Sequence, residues 1–293
     1  MCNVLVIGLV VLLLLGYFTL LERKTLGYGQ LRKGPNKGVL YGLFQPLLDG
    51  VKLFMKSMSM GWQSPMSVLI IGGGVGLSSV LLLWWVWLGL LGAWGVVCGL
   101  VIVLILGGFV GVLYFVVGMS GGSKYSGYGS SRSLALVITY EGVMYFCFVG
   151  LFWAQMSLTN NIGVYTFVSW GVLSLLLVSM VMESSRTPVD FVEGESELVS
   201  GLVTEMGGLI FSLLFLLEYG VMSVFACIWV FMLFGGWACD YIVSSLLACG
   251  LMFVFNWLRM SLPRGRYDVV MEWGWKFLLL VTFCSVLVVM SFS

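Results

Sequence analysis

Six of the chain's thirteen carboxylates, Glu183, Asp190, Glu193, Glu195, Glu197 and Glu205, fall inside the segment MESSRTPVDFVEGESELVSGLVTE, between two long apolar runs. Carboxylates this dense suit proton exchange, cation binding or contact with a polar substrate. If the region is helical, Glu193 and Glu197 are i,i+4 neighbours, a like-charge pair that costs a few tenths of a kcal/mol. Two further acids lie deeper. Glu141, in LALVITYEGVMYF, and Glu218, in LIFSLLFLLEYGVM, each interrupt an apolar run whose interior holds no cation. An ionised group at the centre of a bilayer costs about 2.5–3.5 kcal/mol on insertion scales, so such acids face a bundle interior or a watery cavity and are typical members of proton relays.

Several other chemistries are excluded. The chain has no histidine, which removes bis-His haem, His-ligated zinc or copper, and Ser-His-Asp catalysis. The seven cysteines (Cys2, Cys98, Cys147, Cys227, Cys239, Cys249 and Cys284) are scattered without iron–sulfur or zinc spacing, and most sit in apolar runs, where they read as small buried hydrophobes. No phosphate-cradling loop occurs, so nucleotide binding has no support. Redox chemistry served by this chain therefore places its cofactors on other chains, and no metal site is expected here.

The elements that must hold these acids are membrane spans. The chain is 60% hydrophobic and 9% charged, with mean hydropathy +1.08, which leaves no water-facing surface for a soluble domain. Apolar runs of about 20 residues cross a bilayer. Eight are expected, at about 3–21, 65–92, 95–118, 133–156, 164–183, 207–234, 240–259 and 274–291. The fold class is thus all-α and polytopic, a single membrane domain over 1–293 with inner-side loops at about 22–64, 118–132, 184–206 and 260–273. The MCN start lacks the positive charge of a signal peptide, so the first run reads as a retained helix. Trp84, Trp85, Trp87 and Trp94 read as an interfacial aromatic belt.

Charge tests this topology. With eight spans, all fourteen Lys and Arg fall in the loops after spans one, three, five and seven or at their margins, and Asp240 is the one charge on the other side. Under the positive-inside rule both termini then face outward. Residues 45–60 read as an amphipathic helix lying in the interface, with Leu47, Leu48, Val51, Phe54, Met55 and Met58 on one side and Asp49, Lys52, Lys56 and Ser59 on the other. The Gly- and Ser-rich stretch 118–132 reads as a flexible loop. Glu205 and Glu218 would point to nearly opposite sides of one continuous helix, so a shared path requires a break, expected at Gly207-Gly208. Single loop arginines read equally as topogenic anchors, and Arg186 with the other inner-loop cations could neutralise the acidic segment as a structural network.

Four motifs in this order and spacing, ERKTLGYGQLRKGPNKG, YEG, ESSRTPVDFVEGESELVSG and PRGRYD, resemble the family of NADH dehydrogenase subunit 1, the membrane subunit of respiratory complex I, over essentially the whole chain. The resemblance implies eight transmembrane helices plus an amphipathic helix, multi-pass in the mitochondrial inner membrane with both termini on the intermembrane-space side. It implies a core subunit of a proton-pumping NADH:quinone oxidoreductase that forms the quinone tunnel with peripheral-arm subunits. By position, Arg23, Arg32, Phe191 and Arg264 line or shape that tunnel, with Asp190, Glu193 and Glu195 on the loop beneath it. Glu141, Glu183, Glu205 and Glu218 form the acid-lined coupling path. The substrate is ubiquinone or another quinone, no catalytic residue lies in this chain alone, and FMN and iron–sulfur clusters belong to partner subunits. Small membrane subunits and lipid are further partners, and nucleic acid is not. Met206, Gly265 and Ser57 stand where the family pattern has an aromatic, an aromatic and an acid.

Two other readings use the same residues. A free-standing cation or proton transporter would employ Glu141 and Glu218 at mid-membrane, although ESSRTPVDFVEGESE has no counterpart in residues 1–146, as an internal repeat would require. A structural anchor for a peripheral complex would use the acids as docking charges, which leaves Glu218 too deep to serve.

Overall fold

A computed structural model describes the chain except for residues 1, 37–38, 58–64, 91–95, 158–161, 185, 188, 192–200, 204–205, 234–240 and 293. The described residues are helical and contain no strand. In order they form α1 (Cys2–Gly29), the short turn α2 (Val39–Gly42), α3 (Gln45–Met55), α4 (Met66–Leu90), α5 (Val96–Ser120), α6 (Lys124–Ser157) and α7 (Ile162–Glu183). After a 3-10 turn at Gly201–Val203 come α8 (Leu209–Leu233), α9 (Tyr241–Ser261), α10 (Tyr267–Glu272), a π-helical segment Trp273–Leu278 and α11 (Leu279–Phe292). Among the described residues, seven stretches are long and apolar enough to cross a membrane, and Trp170–Glu183 of α7 forms a shorter apolar helix. Helix of this kind is what a chain without polar surface must form in lipid, because each backbone group is then satisfied within its own segment.

Helix α8 is the hub. It packs on α1, α3, α4, α5, α7 and α9, and its buried side chains, among them Ile210, Leu214, Leu217, Val221, Phe225 and Ile228, surround the helix axis. Small residues let the backbones approach. A Cβ at Gly220 of α8 would collide with Val80 of α4, and one at Gly76 of α4 would lie 2.6 Å from Leu217 Cδ1. This is the close packing that replaces hydrophobic drive between helices in lipid. Tyr114 of α5 donates to the Leu214 carbonyl at 2.9 Å, and Trp229 of α8 to the Leu173 carbonyl of α7 at 3.0 Å.

Several expected boundaries shift. The first helix does not stop near residue 21 but runs to Gly29, where Arg32 N–H reaches the Gly27 carbonyl at 2.9 Å and Leu31 N–H the Tyr28 carbonyl at 3.1 Å. That pair of bonds is a Schellman stop, with Leu31 in the left-handed region (φ 56) where glycine is usual. The stretch 118–132 is not a flexible loop. Only 121–123 separate α5 from α6, and Ser123 Oγ caps the Ser126 N–H at 3.1 Å. Ser126, Ser130, Ser131 and Ser133 return their hydroxyls to carbonyls three residues back, so these polar residues are satisfied inside a helix. Their small size also lets α6 close on α5, since a Cβ at Gly118 would collide with Ser130.

The last expected loop, 260–273, shrinks to the few residues between Ser261 and Tyr267. The π-helical segment beyond it has a visible cause. The Tyr140 hydroxyl donates to the Val270 carbonyl at 2.8 Å, and a Cβ at Gly274 would lie 3.4 Å from the Tyr140 ring. An outside donor inserted into the hydrogen-bond ladder widens the turn. The interfacial helix is present as Gln45–Met55, ending where Lys56 turns extended (ψ 138), with Leu47, Leu48, Val51, Phe54 and Met55 outward. Met58 and Ser59 lie outside the described residues.

The expected tryptophan belt is corrected. Trp84 and Trp87, one helical turn apart, face inward, Trp87 meeting Phe231 edge to face at 5.4 Å, while Trp85 faces outward. Trp94 lies outside the described residues. The cysteine expectation is corrected too. Cys147 is buried and Cys227 half-buried, whereas Cys98, Cys249 and Cys284 lie on the outer surface of the bundle.

Candidate functional site

Adjacent residues on α1 look in different directions. Arg23 reaches Asp49 of α3 at 2.6 Å, where Gln45 also donates to Asp49 at 3.0 Å. Glu22 turns inward and is buried. It receives the Tyr219 hydroxyl of α8 and pairs with Arg259 of α9. Arg186, just past the end of α7, lies between two acids, with Nη1 3.5 Å from Glu22 Oε1 and Nη2 2.8 Å from Glu218 Oε2. Its guanidinium also stacks 4.6 Å from the centre of the Tyr219 ring, a cation–π contact strengthened by exclusion of water. Four elements thus meet in one balanced cluster of two cations and two anions.

The cluster opens onto a second polar space. Glu218 and Glu183 line a cavity of about 40 Å³ together with Tyr114, Ser133 and Ser184, walled by Gly107, Val110 and Gly111 of α5. At roughly 10–15 Å³ per water, such a space holds about three. Glu141 lies alongside on α6. Its Oε1 accepts the Tyr145 hydroxyl at 2.7 Å, its carboxylate occupies the room that Gly108 leaves by lacking a Cβ, and it is close enough to Glu183 for the two charges to interact. The acids Glu22, Glu218, Glu183 and Glu141 therefore run in sequence across α1, α8, α7 and α6, with Arg186 bridging the first two.

A separate group sits under the loop after α7. Asp190 accepts Arg264 at 2.9 Å, and buried Phe191 meets Tyr267 edge to face at 5.5 Å. Arg132 of α6 lies 5.5 Å over that same Tyr267 ring. Arg32 is exposed beyond the end of α1. The expected tunnel residues thus divide into Asp190, Phe191 and Arg264 together, Arg23 with Asp49, and Arg32 apart from both. Glu193, Glu195, Glu197 and Glu205 lie outside the described residues. The expected break before α8 is present. Gly208 adopts φ +63, and a Cβ there would sit 3.1 Å from the Lys56 carbonyl, so the helix begins at Leu209.

Glu22, Arg259, Tyr219 and Asn256 were not singled out as site residues from sequence. Glu22 precedes Arg23 and Lys24 and reads as the edge of a span, Arg259 reads as a topogenic charge, and Arg186 reads as a neutraliser of the acidic segment. The available signal was the offset of Glu22 by one helical position from Arg23, which turns the two roughly 100° apart.

The sequence signature of the family described as NADH dehydrogenase matches residues 2–290. The chain is 38% identical to NADH-ubiquinone oxidoreductase chain 1 of Heterololigo bleekeri, over 90% of this chain and 88% of that one. It is 33% identical to an NADH-quinone oxidoreductase subunit of Acidovorax sp. (strain JS42), over 98% of this chain and 89% of that one. It is 31% identical to NADH-ubiquinone oxidoreductase chain 1 of Metridium senile, over 99% and 92%. A bundle of apolar helices holding a line of buried and half-buried acids, matched along nearly its whole length by these relatives, belongs to the NADH dehydrogenase family of membrane subunits.

Proposed function

We propose that the chain is the core membrane subunit of a proton-translocating NADH:quinone oxidoreductase, where it admits quinone and carries the first part of the coupling path. The observation that bears most weight is the line Glu22, Arg186, Glu218, Glu183, in which a buried cation joins two acids and a polar cavity takes over from them. Quinone reduction consumes two protons and alters local charge, which nearby carboxylates can relay or sense. In this reading Asp190, Phe191 and Arg264, with Arg23, Arg32, Glu193 and Glu195, shape the quinone tunnel. Glu141, Glu183, Glu205 and Glu218 carry the coupling path, to which Glu22 and Arg186 are added as its entrance. FMN and iron–sulfur clusters reside on partner subunits, and ubiquinone or a related quinone is the substrate.

The same proposal includes eight crossings with both termini outward, in the mitochondrial inner membrane. It is supported by the placement of all fourteen cations in the four expected inner-side segments or at the adjoining span ends and by contacts that join those segments. Thr187 bonds the Arg259 carbonyl at 3.4 Å, Arg264 pairs with Asp190, and Arg132 lies on Tyr267. Native separation after gentle solubilisation, with an NADH activity stain, is expected to find the chain in a very large NADH-oxidising assembly. Within that assembly Asp190→Asn is expected to lower quinone reduction while NADH oxidation by a water-soluble acceptor is unchanged. Migration alone, or normal quinone turnover in Asp190→Asn and Glu218→Gln, refutes the assignment.

A further inference from the structure

Asn256 stands beside the ion pairs of the Glu22 cluster without joining them. Asn256 of α9 lies one turn before Arg259, is 4% exposed, and its Nδ2 donor meets no acceptor among the described residues. It lines a small cavity of about 10 Å³ with Glu22, Arg186, Tyr219 and Arg259, closed by Phe18, Met222 and Phe255. A buried amide donor left without an acceptor costs about 1–3 kcal/mol in stability, so its occupant must supply a lone pair. The space is at the lower bound for one water. The surrounding charges already cancel, Glu22 and Glu218 against Arg186 and Arg259, so the occupant must also be neutral.

We propose that this cavity is a binding site for a single internal water, which accepts from Asn256 Nδ2 and donates to the Glu22 carboxylate. The inference deepens the coupling role proposed above and rests on it. Asn256 is then a positioning residue. It holds the water that keeps Glu22 oriented towards Arg186 and gives that carboxylate a proton-exchanging neighbour away from Tyr219. The charged and titratable groups facing Glu22 are Arg186 from the segment after α7, Glu218 and Tyr219 from α8, and Arg259 from α9.

The test uses the assembled complex. Electron cryo-microscopy is expected to show density within 3.2 Å of Asn256 Nδ2, ordinary hydrogen-bond range, and none at that place in Asn256→Leu, which fills the space with methyl groups. Asn256→Leu is expected to lower quinone-linked turnover about tenfold, the scale of one lost hydrogen bond to a charged group, and to move one limb of its pH profile by about one unit. Asn256→Ser, which keeps a hydroxyl and leaves room, is expected to restore both to within about twofold. An empty cavity in the wild-type complex overturns the proposal even if Asn256→Leu fails to assemble. So does an Asn256→Leu complex with an unchanged pH profile. In either case an inactive Glu218→Gln complex leaves the coupling role standing, whereas an active Glu218→Gln complex with water present defeats that role instead.

Discussion

Replacing Arg186 by methionine removes its charge and keeps most of its apolar stem. The guanidinium lies 2.8 Å from Glu218 and 3.5 Å from Glu22, with its side chain 10% exposed. At an effective dielectric of about 20 these separations correspond to gross attractions of roughly 6 and 5 kcal/mol. Desolvation offsets much of that, and deleting one partner of a buried pair costs about 3–5 kcal/mol, mainly because charge is left behind in the interior. The Arg23–Asp49 pair is a control within the same molecule. It is shorter, at 2.6 Å, yet its side chains are 53% and 31% exposed, and exposed pairs contribute about 0.2–1 kcal/mol. Burial, not distance, decides between them. The rate of heat inactivation of the assembled complex, followed as loss of the intact assembly on native separation, reads the difference without requiring turnover, since assemblies of this kind unfold irreversibly. Arg186→Met is expected to accelerate inactivation far more than Arg23→Met, and Glu218→Gln in the Arg186→Met background is expected to recover part of the loss. Equal acceleration by the two arginine variants, or strictly additive effects of Arg186→Met and Glu218→Gln, would refute the bridging role.

Two further outcomes follow from packing. Gly118→Ala places a methyl group against Ser130 and is expected to destabilise the α5–α6 contact by about 1–3 kcal/mol; Ser130→Gly is expected to reverse most of this in heat-inactivation assays. Tyr140→Phe removes the phenol donor to the Val270 carbonyl, which keeps the Trp273 N–H, and is expected to cost about 0.5–1.5 kcal/mol, with the widened turn at Trp273–Leu278 reverting towards α-helix in a structure of the variant.

The spans were legible because a run of about 20 apolar residues has one stable form in lipid, and α4, α7, α8 and α9 begin and end within a few residues of where the runs do. The end of α1 and the start of α6 were not, because polarity is an unreliable boundary. The serines of 123–133 look like loop residues, yet each hydroxyl is absorbed by its own helix. The tryptophans misled similarly. Trp84 and Trp87 share a face that α8 happens to cover, a fact of the fold that spacing does not reveal. At the site, Glu218 stood out as an acid within an apolar run and Glu183 as a member of the acidic segment, and the two share a cavity. Arg259 and Glu22 did not stand out, because a charge at the margin of a span has a sufficient explanation in topology; Arg186 read as a neutraliser of the acidic segment, and the convergence of α1, α8 and α9 shows that all three point inward.

The opposed anchoring of Glu22 and Arg23 makes α1 a keyed shaft. One key is seated in the bundle interior through Arg186, Arg259 and Tyr219, and the other in the surface helix α3 through Asp49. Because neighbouring positions are about 100° apart around a helix, the shaft cannot turn about its axis without withdrawing one key. A rotation of α1 that drew Glu22 away from Arg186 would also pull Arg23 from Asp49, so the buried contact and the surface contact are tied to the same rotational setting of one helix.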